Sequence, residues 1–129
     1  MLKSKKAQEL KNKLQTQIAK YNSQLKSKAS FRQTQIQSLK KKYNSKSNDL
    51  VPQLENIVAA DVYIAAVTDI INNLKILFQN PELLVDGKKL PSEIQVALEY
   101  CNAVGKVDKQ PDLRNLIKGI MEKHKALTD

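Results

Sequence analysis

The sequence predicts an all-α protein, an elongated helical bundle built on a long antiparallel helix hairpin (about residues 5–43 and 49–80) with two shorter helices (about 91–104 and 111–127). Three observations predict it. No Gly or Pro interrupts residues 5–43. Apolar residues between 50 and 78 recur at three and four positions over about eight turns. The chain holds only 3 Gly and 4 Pro, 5% aromatics and no Trp, and no run alternates with the period of two that a sheet needs. Its 129 residues suit a single domain, 1–129, burying roughly two thirds of its unfolded surface.

In the first helix Leu10 leads into a stripe of Leu14, Ile18, Tyr21, Leu25, Ala29, Arg32, Ile36, Leu39 and Tyr43. Its spacings alternate between four and three, the seam of a helix packed lengthwise on another. Arg32 interrupts that seam and marks a kink, a salt bridge to the second helix or a point where the hairpin opens. Asn44 to Asn48 form a polar turn. The second helix starts after Asp49, with Pro52 tolerated in its first turn, and ends at Asn80-Pro81. Its apolar face, from Leu50 and Leu54 through Val58 and Ile71 to Phe78, is broad enough to require partners on two or three sides. Asp61 lies within that face, either as a buried polar contact or, on the plainer reading, as a boundary residue reaching solvent.

Leu83, Leu84 and Val85 tuck a connecting segment onto the bundle before a turn at Asp86-Gly87. Pro91-Ser92-Glu93 opens the third helix, with Ile94, Ala97, Leu98, Cys101 and Val104 on one face and Gly105 placed to end it. Pro111-Asp112 opens the fourth, which buries Leu113, Leu116, Ile117, Ile120 and Met121 and bears His124 near its end.

The formal charge of +9 is unevenly spread. Residues 1–48 carry twelve Lys and Arg32 against one acid, Glu9, whereas residues 49–129 carry nine basic and twelve acidic residues. The basic set, Lys3, Lys5, Lys6, Lys11, Lys13, Lys20, Lys26, Lys28, Arg32, Lys40, Lys41, Lys42 and Lys46, is the candidate binding surface for an acidic partner. Anionic lipid, an acidic protein and nucleic-acid phosphate are the three candidates. Scarce Arg and the lack of interleaved exposed aromatics argue against nucleic acid. A lysine face that only keeps the chain soluble is the competing explanation.

Enzyme chemistry finds little support in the residues. His124 is the single histidine and Cys101 the single cysteine, so neither a multi-histidine metal site nor a disulfide is expected, and a reduced intracellular setting fits. Gly87, Gly105 and Gly119 are isolated, without a phosphate-cradling motif. No catalytic residue, metal, cofactor or small-molecule substrate is expected. No run approaches the roughly 18 apolar residues of a membrane span. The Lys-rich start contains no Arg before residue 32 and runs unbroken into a helix, unlike a mitochondrial presequence.

Leu54-Glu55-Asn56-Ile57-Val58, with Asp61 following, resembles the hydrophobic-Glu-x-Ile-Ile stretch of the increased-sodium-tolerance family, ESCRT-III-like regulators of the AAA ATPase in the multivesicular-body pathway. Pro111-Asp112-Leu113 with Leu116, Ile120, Lys123 and His124 is similar to that family's Pro-Glu-Leu, Ile, Phe, Lys-Tyr pattern. The resemblance covers about residues 5–127. Gln53 stands where the family has Arg, Asn73-Leu74 where it has Tyr-Cys, and Ala103 to Gly105 where it has an Ala-Pro step. Its further helix and its ATPase-recruiting tail have no counterpart in the matched stretch, so direct ATPase recruitment is not expected of residues 1–129. The resemblance implies a non-enzymatic, cytoplasmic scaffold at the endosomal membrane that binds other ESCRT-III subunits and acidic lipid. The rival expectation is a structural subunit of a large protein assembly, cytoskeletal or ciliary, that reuses the fold.

Overall fold

A computed structural model describes residues 4–46, 49–86, 88–107 and 111–128, with side chains of the last helix described as far as His124. It contains five helices, α1 (Lys5–Asn44), α2 (Val51–Phe78), α3 (Pro81–Val85), α4 (Ser92–Val107) and α5 (Pro111–Thr128), and no strand among the described residues. The all-α class, the α1–α2 hairpin and the two shorter helices agree with the sequence pattern. The chain divides into two compact units, Met1–Lys20 with Ile70–Asp129, and Tyr21–Asp69.

The first unit holds most of the core. Ala7, Leu10, Leu14 and Ile18 of α1 are buried together with Ile70, Ile71, Leu74 and Leu77 of α2, Leu84 of α3, and Leu90. From α4 come Ile94, Ala97, Leu98 and Cys101, and from α5 come Leu113, Ile117 and Ile120. Each set repeats at three and four residues, so every helix presents one apolar stripe, and full burial of such a side chain contributes about 1.5–3 kcal/mol. The helix ends find partners locally. Ser4 Oγ accepts from the Ala7 backbone N–H at 3.3 Å at the start of α1, and Asn80 Nδ2 donates to the Ile76 carbonyl at 2.8 Å at the end of α2. Pro81 does not merely stop α2. It sits in the first turn of α3, a single turn whose Leu84 is buried.

Gly105 does not end α4, which continues to Val107. The glycine is buried within the helix, where a Cβ would lie 3.1 Å from Arg114 Cα and 3.2 Å from Arg114 N. Its lack of a side chain lets α4 approach the α5 backbone closely, a use that outweighs its poor helix propensity.

The second unit is a two-helix hairpin of the later part of α1 and the earlier part of α2. Among its described residues only Tyr21, Ala60 and Val67 are buried. Polar bonds join the helices along their length. Asn56 Nδ2 donates to Gln35 Oε1 at 3.0 Å, the Tyr63 hydroxyl to Gln24 Oε1 at 2.9 Å, and Lys42 Nζ to Gln53 Oε1 at 3.1 Å. Arg32 Nε donates to Asp61 Oδ1. The interruption in the α1 seam is therefore a salt bridge to the second helix within a continuous α1. The turn is tightened by Lys46, whose φ of 60° is left-handed and whose N–H donates to the Tyr43 carbonyl at 3.0 Å; Ser47, Asn48 and Gly87, the remaining turn positions named from sequence, lie outside the described residues. The broad α2 face is not covered on two or three sides here, for within this unit α1 is its one neighbour. Val51, Leu54, Val58 and Val62 remain 57%, 47%, 61% and 66% exposed.

Candidate acidic-surface interface

The thirteen basic residues proposed from sequence separate into distinct environments. Lys3 lies outside the described residues. In the first unit Lys5, Lys6, Lys13 and Lys20 are exposed. Helical spacing explains this, since buried Ala7, Leu10, Leu14 and Ile18 define the inner face of α1 and these lysines fall between them. Lys11 is half-buried, its ammonium 4.8 Å from the centre of the Phe78 ring, a cation–π contact worth about 0.5–1 kcal/mol at such a site. Lys6 and Lys13 share a groove of about 250 Å³ with Lys123, whose walls include Leu10, Leu84, Leu116 and Ile120.

In the second unit Lys26, Lys40, Lys41 and Lys46 are exposed. Lys28, Arg32 and Lys42 instead turn toward α2. Lys28 Nζ lies 4.9 Å from the Tyr63 ring centre and 5.3 Å from that of Phe31. Arg32 pairs with Asp61, and Lys42 reaches both Gln53 and the Asp49 carbonyl, the latter at 3.4 Å. Of the three, only Arg32 belongs to the seam expected from sequence. Lys28 and Lys42 each precede an expected seam residue, Ala29 and Tyr43, and these two are exposed, so the face of α1 turned to α2 runs through Lys28, Arg32 and Lys42 instead. Of the thirteen, the exposed cations whose ammonium makes no ion pair, hydrogen bond or ring contact among the described residues are Lys5, Lys6, Lys13, Lys26, Lys40 and Lys41 of α1 and Lys46 of the turn.

Groups suited to other chemistry are enclosed. Among the described residues no group of three or more His, Cys, Asp or Glu is placed to hold a metal ion. No helix of the described chain is long and apolar enough to cross a membrane. His124 is 2% exposed and its ring nitrogens face two backbone carbonyls, Leu84 O at 2.7 Å and Lys88 O at 3.1 Å; sequence spacing placed it on the helix face but gave no sign of these partners. Gln17 is buried, and its Oε1 has no partner among the described residues. It adjoins a groove of about 420 Å³ lined by Lys13, Thr16, Asp112, Asn115 and Leu116.

Burial pushes the Cys101 thiol up from its ordinary 9.0 to about 12, because the anion would lose its hydration. Since the folded value lies above the unfolded one, the stability tied to the neutral thiol is complete below pH 9.0 and is lost as pH rises from 9.0 toward 12. The expected result is a steeper alkaline loss of stability in the native chain than in Cys101→Ala, the difference growing by about 1.4 kcal/mol per pH unit above 9. Urea unfolding of both proteins at pH 8, 9.5 and 10.5 measures it, and parallel pH dependences would refute it.

Compared with protein-family models, with curated proteins and with solved structures, the chain has no match in any of the three.

Proposed function

We propose that the chain is a non-enzymatic, ESCRT-III-like scaffold that docks on acidic membrane at the endosome and engages other ESCRT-III subunits. The observation that carries this reading is the set of six α1 lysines, Lys5, Lys6, Lys13, Lys26, Lys40 and Lys41, exposed to solvent without an acidic partner among the described residues. Exposed ammonium groups near an anionic bilayer contribute on the order of 1 kcal/mol each, so two or three engaged together already produce measurable attachment. Lysine, a strongly hydrated point charge, suits diffuse contact with lipid headgroups better than bidentate recognition. The groove bordered by Lys6, Lys13 and Lys123, with Glu9 the one acid among its lining residues, supports the second half of the proposal, since an apolar floor with a net basic rim matches an amphipathic segment with acidic flanks.

The test is co-sedimentation with vesicles containing phosphatidylserine and with neutral vesicles, at low and physiological salt. Native protein should pellet with the acidic vesicles and be released by salt. Changing Lys5, Lys6, Lys13, Lys26, Lys40 and Lys41 to Glu should abolish pelleting while leaving helical circular dichroism intact. Unchanged pelleting of that variant would overturn the membrane assignment. Absence of pelleting by the native chain would do so too, favouring the structural-subunit reading, in which the same lysines meet an acidic protein surface.

A further inference from the structure

In the second unit the side of α2 turned away from α1 is apolar. At about 100° per residue, Val51, Val58 and Val62 fall nearly on one line, with Leu54 and Ala65 along one edge and Ala59 and Ala66 along the other. That line is about opposite Ala60, which is 1% exposed. All seven residues of the stripe are exposed, and the row covers about 22 Å from Val51 to Ala66 at about 1.5 Å per residue. Packing within a two-helix hairpin leaves such a face without neighbours, and exposed apolar rows of this length mark interaction sites.

The charges around the row select among occupants. Between Asp49 and Lys75 the chain has no Lys or Arg; by helical phase Glu55 falls within the stripe between Val62 and Ala66, Asp69 continues its central line, and Asp61, paired with Arg32, lies just beyond Leu54. A second copy laid antiparallel on the same face would set Glu55 and Asp61 of one chain against those of the other. Presenting α1 instead, it would offer lysines among Ser27, Ser30, Gln33, Thr34 and Gln37, without an apolar row to match. An anionic bilayer would be repelled by the same carboxylates. We infer that the Val51–Leu54–Val58–Val62 row is a docking surface for a basic amphipathic helix of a partner protein. Such a helix covers the row in about four turns, its apolar stripe on the valines and a Lys or Arg beside Glu55, since Asp61 is already paired with Arg32. This surface is separate from the lysines of α1, and its test does not depend on them.

The probe is a fluorescein-labelled peptide of about 16 residues, with Leu at three-and-four spacing and Lys flanks, and its twin with Glu in place of Lys. Anisotropy titration with the full chain should give about tenfold tighter binding for the Lys peptide. Val58→Ser with Val62→Ser should weaken that binding at least about tenfold with helicity unchanged. Glu55→Lys, a surface change that leaves the row intact, should narrow the preference between the peptides. Failure of the Lys peptide to bind, equal binding of both peptides, or no effect of the Val58/Val62 pair would overturn the assignment. Sedimentation velocity showing a dimer that those two substitutions dissolve would overturn it in favour of a second copy.

Discussion

Replacing Gly105 with Val is expected to destabilise the protein by about 2–3 kcal/mol, the upper range for forcing extra methyl groups into a packed contact. The obstacle is backbone. An added Cβ would meet Arg114 Cα at 3.1 Å and Arg114 N at 3.2 Å, atoms that cannot rotate aside as the end of a long side chain can. Relief would require α4 to move off α5, disturbing Ala97, Leu98 and Cys101 on one helix and Leu113 and Ile117 on the other, all buried. Interiors pack too densely to absorb such a shift. Gly105→Ala should also destabilise, by less, because the helix propensity gained from Ala offsets part of the strain. Gly119 provides the internal comparison: a Cβ there meets nothing within 4 Å, so Gly119→Ala is expected to raise stability by about 0.5–1 kcal/mol. Urea unfolding of the three variants measures the contrast, and Gly105→Val unfolding at the native midpoint would refute the close-crossing argument.

The two glycines show what sequence could and could not convey. Periodicity identified α1, α2, α4 and α5 because apolar residues at three-and-four spacing are a local property of the chain. Local rules associate glycine with helix ends, so Gly105 reads in sequence as a stop signal; its actual use is set by Arg114, a partner on another helix. Arg32 is similar. Its place in the α1 seam was visible, but choosing the salt bridge required Asp61, which lies on the other arm.

Apolar patterning also reports amphipathicity without reporting neighbours. Ile70, Ile71, Leu74 and Leu77 of α2 are buried, whereas Leu54 and Val58, members of the same pattern, are largely exposed because the second unit supplies only α1 to cover them. The basic residues divide for a related reason. Composition established how many there are, but the helical phase of each one determined whether it met solvent, as Lys5 and Lys41 do, or an aromatic ring, as Lys11 and Lys28 do. Seam spacing carried that information for Arg32 alone; Lys28 and Lys42 lie one residue ahead of the expected seam positions Ala29 and Tyr43, which are exposed.

His124→Phe is expected to cost about 2–3 kcal/mol despite preserving a ring of similar shape, because its main effect is on two backbone carbonyls. Leu84 O belongs to α3, a single turn whose terminal carbonyls have no intrahelical donor, and His124 Nε2 approaches it at 2.7 Å. Nδ1 lies 3.1 Å from Lys88 O in the segment that leads toward α4. One ring N–H donates in either neutral tautomer, and both donate in the imidazolium. A Phe ring donates to neither carbonyl while still shutting water out of a position that is 2% exposed, and a buried acceptor left without its donor, as Leu84 O would be, costs about 1–3 kcal/mol. His124→Gln should recover part of the loss, since its amide can donate to one of the two oxygens. Hydrogen exchange locates the effect: amides of α3 and residues 88–90 should lose protection in the Phe variant before those of the hairpin in residues 21–69. Uniform protection together with an unchanged urea midpoint would show that His124 contributes packing alone and that the two carbonyls are satisfied without it.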